Sequence, residues 1–125
     1  MVLICGLPNA GKTTYSSRYS NVLHYDDISR YRQAERIEIY KRTDAECIEG
    51  VYNTVAGRKR ILDNVQAERK VCIWIDTPPE VCIARETRGR GEHIVLSHAK
   101  MFEPPTLDEG WDEIIRITTT EEYHD

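Results

Sequence analysis

The chain has 125 residues, of which 40% are hydrophobic and 30% charged, with a net charge of −4 at pH 7. That length supports one domain around a single core, and the acidic balance excludes a protein that holds nucleic acid through net charge alone. No apolar run approaches the roughly 20 residues of a membrane span, and the opening run is too short for a signal-peptide core, so the expected location is the cytoplasm.

Residues 2–5, "VLIC", are an apolar run that predicts the first strand. "GLPNAGKTT" follows and fits G-x-x-x-x-G-K-[ST], with Gly6, Gly11, Lys12 and Thr13 in the fixed places. Glycines there let the backbone turn tightly, so that successive N–H groups point inward at phosphate oxygens. The predicted cradle takes in Pro8, Asn9, Ala10 and Thr14 as well, and the helix behind it, running to about Tyr19, adds the positive end of its dipole. Lys12 is expected to reach the β- and γ-phosphates of a nucleoside triphosphate, and the Thr13 hydroxyl to hold Mg²⁺.

"NVLHY" predicts a second strand ending at Asp26 and Asp27, and a helix follows from about Ile28 to Arg42. "AECIE", Ala45–Glu49, is a weak third strand before a helix over about Ala56–Arg69. The alternative puts the strand at Arg60–Asn64, which leaves about half a dozen residues to return to Val71, whereas a crossover takes about a dozen. "VCIWID" at 71–76 has the continuous apolar character of a buried parallel strand. Pro79 opens a short helix to about Glu86, "RGRGEH" is a loop, Ser97 is placed to cap another helix, and "EIIRI" is the last strand. Trp74 is expected in the core and Trp111 under the last strand. The expected organisation is a domain over 1–118 with an acidic, frayed tail at 119–125.

Alternating strands and helices imply a parallel sheet with right-handed crossovers. Ligands of such sheets bind at the carboxyl ends of the strands. That edge collects Asp26, Asp27, Glu49, Asp76 and Thr77, with Arg30, Arg58, Arg60, Arg85, Arg88 and Arg90 nearby. An acidic protein thus has a locally basic edge, suited to phosphate. Cys5, Cys47, Cys72 and Cys82 show no C-x-x-C spacing and are expected reduced and buried.

With the Walker-type loop, the paired acids "YDD", the segment "DTPPEVCIARETRGR" and the ending "MFEPPTLDEGWDEII", the chain resembles the P-loop kinases related to polynucleotide 5′-kinases, a group that includes zeta-toxin-like and other small-substrate kinases. The resemblance runs to Ile117. It implies a three-layer αβα P-loop fold, α/β class, with five parallel strands ordered 2-3-1-4-5, and an ATP- and Mg²⁺-dependent transfer to a hydroxyl, foremost a nucleic-acid 5′ end. Asp26 matches the aspartate that takes the acceptor's proton; the alternative is that it caps the following helix. Asp27, Arg30, Arg58 and Arg60 are expected to touch substrate. Glu49 falls at the acid of the group's D-x-T-N motif, although the text here is "EGVYN", and its implied role is a Mg²⁺ contact. Arg85, with Arg88 or Arg90, matches lid arginines that clamp the transferring phosphoryl group. "EPPTLDEGW" is either a passage near the nucleotide base or a plain connector. Two other functions stay open: a kinase of a small nucleoside, sugar or antibiotic-like compound, and a nucleotide-binding switch or degenerate ATPase.

Overall fold

The computed structural model describes residues 1–118; the expected acidic tail lies outside the described residues. Five strands, β1 (Val2–Gly6), β2 (Val22–His24), β3 (Cys47–Glu49), β4 (Val71–Asp76) and β5 (Glu113–Thr118), form one sheet in the order β2-β3-β1-β4-β5. Every pairing is parallel. The intervening helices are α1 (Lys12–Ser16), α2 (Tyr25–Ile28), α3 (Gln33–Arg42), α4 (Val55–Asn64), α5 (Pro79–Ala84) and α6 (His93–Met101), with a 3₁₀ turn at Leu107–Glu109.

Register explains the layers. Leu3 lies between Ile48 and Cys72, and Ile4 between Glu49 and Ile73. Successive strand side chains alternate between faces. Leu3, Cys5, Ile48 and Cys72 therefore pack on one side with Tyr40 of α3, Ile61 of α4 and Trp111. Ile4, Cys47, Ile73 and Ile75 pack on the other with Cys82 of α5 and Val95 of α6. Both faces of the central strands are covered, which is why β1 and β4 read as unbroken apolar runs. The four cysteines are buried and form no disulfide, and burial pushes the Cys47 thiol up to about 12. No helix among the described residues is long and apolar enough to cross a membrane.

The α/β class and strand order match the expectation, while several boundaries move. Arg60–Asn64 is helical, as part of α4, so the third strand is the segment ending at Glu49. α4 stops at Asn64 instead of Arg69: Val65 turns extended, and Lys70 Nζ donates to the Leu62 carbonyl at 2.5 Å. The helix expected over 28–42 is broken into α2 and α3 by an extended Arg32. After Ser16 the first helix winds on to Tyr19 only through i→i−3 bonds. Ser16 and Ser17 hydroxyls bond back to the Thr13 and Thr14 carbonyls, the local competition that disfavours serine within helices. α6 begins at His93, which leaves Ser97 inside it and not at its cap. Trp74 is half buried, lying against Phe102 with ring centroids 5.4 Å apart, and is not a core residue.

Candidate active site

β1 delivers the chain to the glycine-rich loop at the carboxyl edge, between β3 and β4. Gly6 ends the strand opposite Ile75, Pro8 and Ala10 are buried beneath the loop, and Asn9 takes the left-handed conformation at φ 65. Gly11, at φ 105, turns the chain into α1, a conformation that side-chain-bearing residues rarely adopt. Thr13 and Thr14 are exposed on the wall of the adjoining cleft. Lys12 is only 8% exposed and donates from Nζ to the Leu7 carbonyl at 2.6 Å, closing the loop on itself. Burial lowers its pKa, opposed chiefly by the charge of Glu49.

The cleft beside this loop measures about 870 Å³. Its walls bring together Lys12, Thr13, Asp26, Glu49, Arg60, Arg85, Arg88 and Arg90, residues from five separate stretches of the chain. Glu49 ends β3 with one carboxylate oxygen 2.7 Å from His24 Nδ1, at the end of β2. Asp26 is exposed on α2 and within electrostatic reach of both Lys12 and Arg90. α2 begins at Tyr25 with no side-chain cap, so neither Asp26 nor Asp27 caps it. Asp27 is exposed but is not among the cleft residues, and Arg30 folds back onto the Asp27 carbonyl and the Tyr31 hydroxyl.

The arginine loop is tied to the glycine-rich loop. Arg85 Nη1 donates to the Asn9 and Ala10 carbonyls at 3.3 and 3.4 Å. Glu86, which sequence reasoning missed, is the hub beside it. Its carboxylate accepts from Asn9 Nδ2 at 2.8 Å, from Arg90 Nη2 at 2.8 Å, and from the amides of Arg88 and Arg90 at 3.1 Å. The Arg90 and Asn9 hydrogen bonds hold its carboxyl well below the usual carboxylate range. A depressed folded-state value means that the stabilisation is complete above the ordinary carboxylate pKa and is lost as pH falls toward the folded one. Glu86→Gln is therefore expected to flatten the acid limb of a stability–pH curve measured by urea unfolding, with little change in slope near neutrality.

Arg58 corrects the sequence expectation. It is fully buried, with Nε 2.8 Å from Glu109 Oε1 and Nη1 donating to the Tyr52 carbonyl at 2.9 Å, and so is closed to substrate. The helical period puts Arg58 toward the core while Arg60, two residues on, reaches the cleft. Arg58→Ala would leave Glu109 buried without its partner, and a loss of about 3–5 kcal/mol in unfolding free energy is expected by chemical denaturation. Other cleft residues were given no role from the sequence: Tyr25 within "YDD", Tyr52 and Asn53 within "EGVYN", and Arg36, Tyr40 and His98, the last 3.2 Å from Asn53. Isolated tyrosines and arginines have no spacing that marks them.

No protein-family model and no curated protein matches the chain. Among solved structures it is similar to the unliganded crystal structure of a sugar kinase from Janibacter sp. HTCC2649, with a TM-score of 0.66, 16% identity, and coverage of 94% of this chain and 83% of that one. The likeness shows the fold. In this chain that α/β fold is a five-stranded parallel sheet ordered 2-3-1-4-5 with helices on both faces.

Proposed function

We propose that the chain is an ATP- and Mg²⁺-dependent kinase that transfers the γ-phosphoryl group to a hydroxyl acceptor. The observation that carries this reading is one cleft walled by the Walker-type lysine, an acid at the end of β3, a second in the helix that follows β2, and the arginines of a loop docked on the phosphate cradle. A nucleotide switch needs a phosphate site; the acid and the arginines are what transfer adds.

Asp26 takes the acceptor's proton as its oxygen bonds to the γ-phosphorus and the bond to ADP breaks, the electron pair leaving with ADP. Lys12 exchanges the Leu7 carbonyl for phosphate oxygens, and Arg85 with Arg88 or Arg90 meets the charge that spreads over the transferring group. The donor set suits Mg²⁺. Among the described residues no three His, Cys, Asp or Glu side chains cluster as a metal cage, and Mg²⁺ with nucleotides characteristically takes one or two protein oxygens plus substrate phosphates and water. The Thr13 hydroxyl and Glu49 carboxylate supply those oxygens; the ion, when bound, neutralises phosphate charge.

A nucleic-acid 5′-hydroxyl is the acceptor implied by the resemblance of the loop, "YDD" and the C-terminal segment. A small sugar is the second reading, favoured by the likeness to a sugar kinase. Transfer of labelled γ-phosphate to 5′-hydroxyl DNA and RNA, nucleosides and monosaccharides tests both. Label on oligonucleotide ends supports the first, label on a monosaccharide alone supports the second, and nucleotide binding without transfer to any of them overturns the kinase reading.

Arg85 has a distinct signature. Its charge matters most while the phosphoryl group is in flight, so Arg85→Ala is expected to lower kcat by about 10²-fold, with a smaller rise in KM for ATP. Steady-state kinetics over ATP concentration separates the two. Lost ATP affinity with kcat untouched would make Arg85 a ground-state anchor.

A further inference from the structure

The segment between α6 and β5 contains "FEPPTLDEGW", which the proposed chemistry does not use. It closes onto the loop that leaves β3. The Glu103 amide donates to the Asn53 carbonyl at 2.7 Å, and Glu103 Oε1 accepts from the Val55 amide at 3.1 Å. Behind this contact the Arg58 guanidinium reaches three ways: to both Glu109 oxygens at 2.8 and 3.0 Å, to the Glu103 carbonyl at 2.7 Å, and to the Tyr52 carbonyl at 2.9 Å. Glu109 also accepts from the Thr106 amide and the Trp111 indole N–H. Neither side chain of the pair is more than 4% exposed.

What this network holds is strained. Tyr52 sits at φ 36, a left-handed conformation rare for a bulky side chain and concentrated at functional sites. Its ring meets Tyr25 edge-on at 5.6 Å, and its hydroxyl lies 2.9 Å from that of Tyr40. Gly50 leaves the space: a Cβ there would come within 2.7 Å of both Tyr25 Cβ and Tyr52 Cε2. All three tyrosines line the cleft, and Tyr25 directly precedes Asp26.

A buried Arg–Glu pair adds little net stability over apolar residues of the same volume. This one is distinguished by what it grips, since two of its bonds end on backbone carbonyls of two separate loops. We propose that Arg58 and Glu109 are positioning residues that hold Tyr52 in its left-handed conformation, so that the Tyr25–Tyr40–Tyr52 wall receives the acceptor beside Asp26. The inference rests on the kinase reading and assigns the acceptor side of the cleft. None of the pair's own hydrogen bonds reaches residues 6–14. A 3.3 Å bond from the Gly6 amide to the Val51 carbonyl links the Tyr52 loop to that stretch, so the larger effect of disturbing the pair falls on the acceptor and the smaller on ATP.

The test uses the full chain and, as probe, whichever of a 5′-hydroxyl oligonucleotide or a monosaccharide the wild type phosphorylates faster. Arg58→Lys keeps the charge but cannot form the planar fork. It is expected to raise KM for that probe about tenfold or more, with KM for ATP changed by less than about twofold. Tyr52→Gly, which tolerates the positive φ but removes the ring, is expected to raise the probe KM likewise, and Tyr52→Phe to restore most of it. The glycine variant decides the matter should Arg58→Lys fail to fold. Equal rises in both KM values, or an unchanged probe KM in folded Tyr52→Gly, overturn the inference alone. A wild type that phosphorylates neither probe nor a nucleoside overturns the kinase reading, and this inference with it.

Discussion

Lys12→Ala is expected to lower phosphoryl transfer by about 10²–10³-fold, the loss typical for removing one preorganised donor to a developing negative charge. Lys12 is almost wholly buried, yet its ammonium group ends on a single loop carbonyl, that of Leu7. It closes the loop without tying the sheet together. The Leu7 carbonyl keeps its bond from the Ala10 amide at 3.1 Å, so removal of the lysine forfeits one hydrogen bond, about 1 kcal/mol, and also relieves a desolvated charge. The fold is therefore retained. Turnover with ATP and the far-UV circular dichroism of the purified variant check both halves. Activity near that of the wild type with an unchanged spectrum would remove the phosphate-cradle assignment.

Asp26→Asn is expected to bind ATP normally and to transfer phosphate about 10²–10⁴-fold more slowly, the range for loss of a general base. The substitution keeps shape and hydrogen-bonding reach while removing the ability to take a proton. Its position separates it from its neighbour: Asp26 lies on the cleft wall within reach of the charges of Lys12 and Arg90, whereas Asp27 is not among the cleft residues. Asp27→Asn is accordingly the milder change. Equilibrium binding of ATP and single-turnover transfer, measured on both variants, test the pair. A larger transfer defect in Asp27→Asn would exchange the two roles.

The local charge of the cleft reconciles an acidic chain with the phosphate-rich substrate proposed for it. Net charge sets the far field, but Arg60, Arg85, Arg88 and Arg90 share one cleft with Lys12. Over the few ångströms that matter to a phosphate, that grouping outweighs a distant acidic surface, which salt screens beyond a Debye length of about 8 Å.

Residues that act through the backbone path were legible in the sequence. The apolar runs of β1 and β4, the alternation of strands with helices and the spacing of Gly6, Gly11 and Lys12 are local patterns, and parallel-sheet topology converts them into a carboxyl edge that holds Asp26, Glu49 and the arginine loop. Side-chain direction was not legible. Arg58 and Arg60 are equally basic and two residues apart, and only the packing of α4 against the sheet sends one into the core and the other to the cleft. Glu86 reads as one half of an ordinary i,i+4 pair with Arg90; its contact with Asn9 joins residues 77 positions apart. Glu109 is likewise an acid in a turn until the fold sets it on Arg58, 51 residues away. Pairings of that kind depend on which elements meet and at what depth, and a periodic pattern along one element carries no information about its partner. The linear order of residues determined the sheet and the edge where chemistry can occur, while tertiary packing decided which charged side chains face that edge and which are buried to hold its walls.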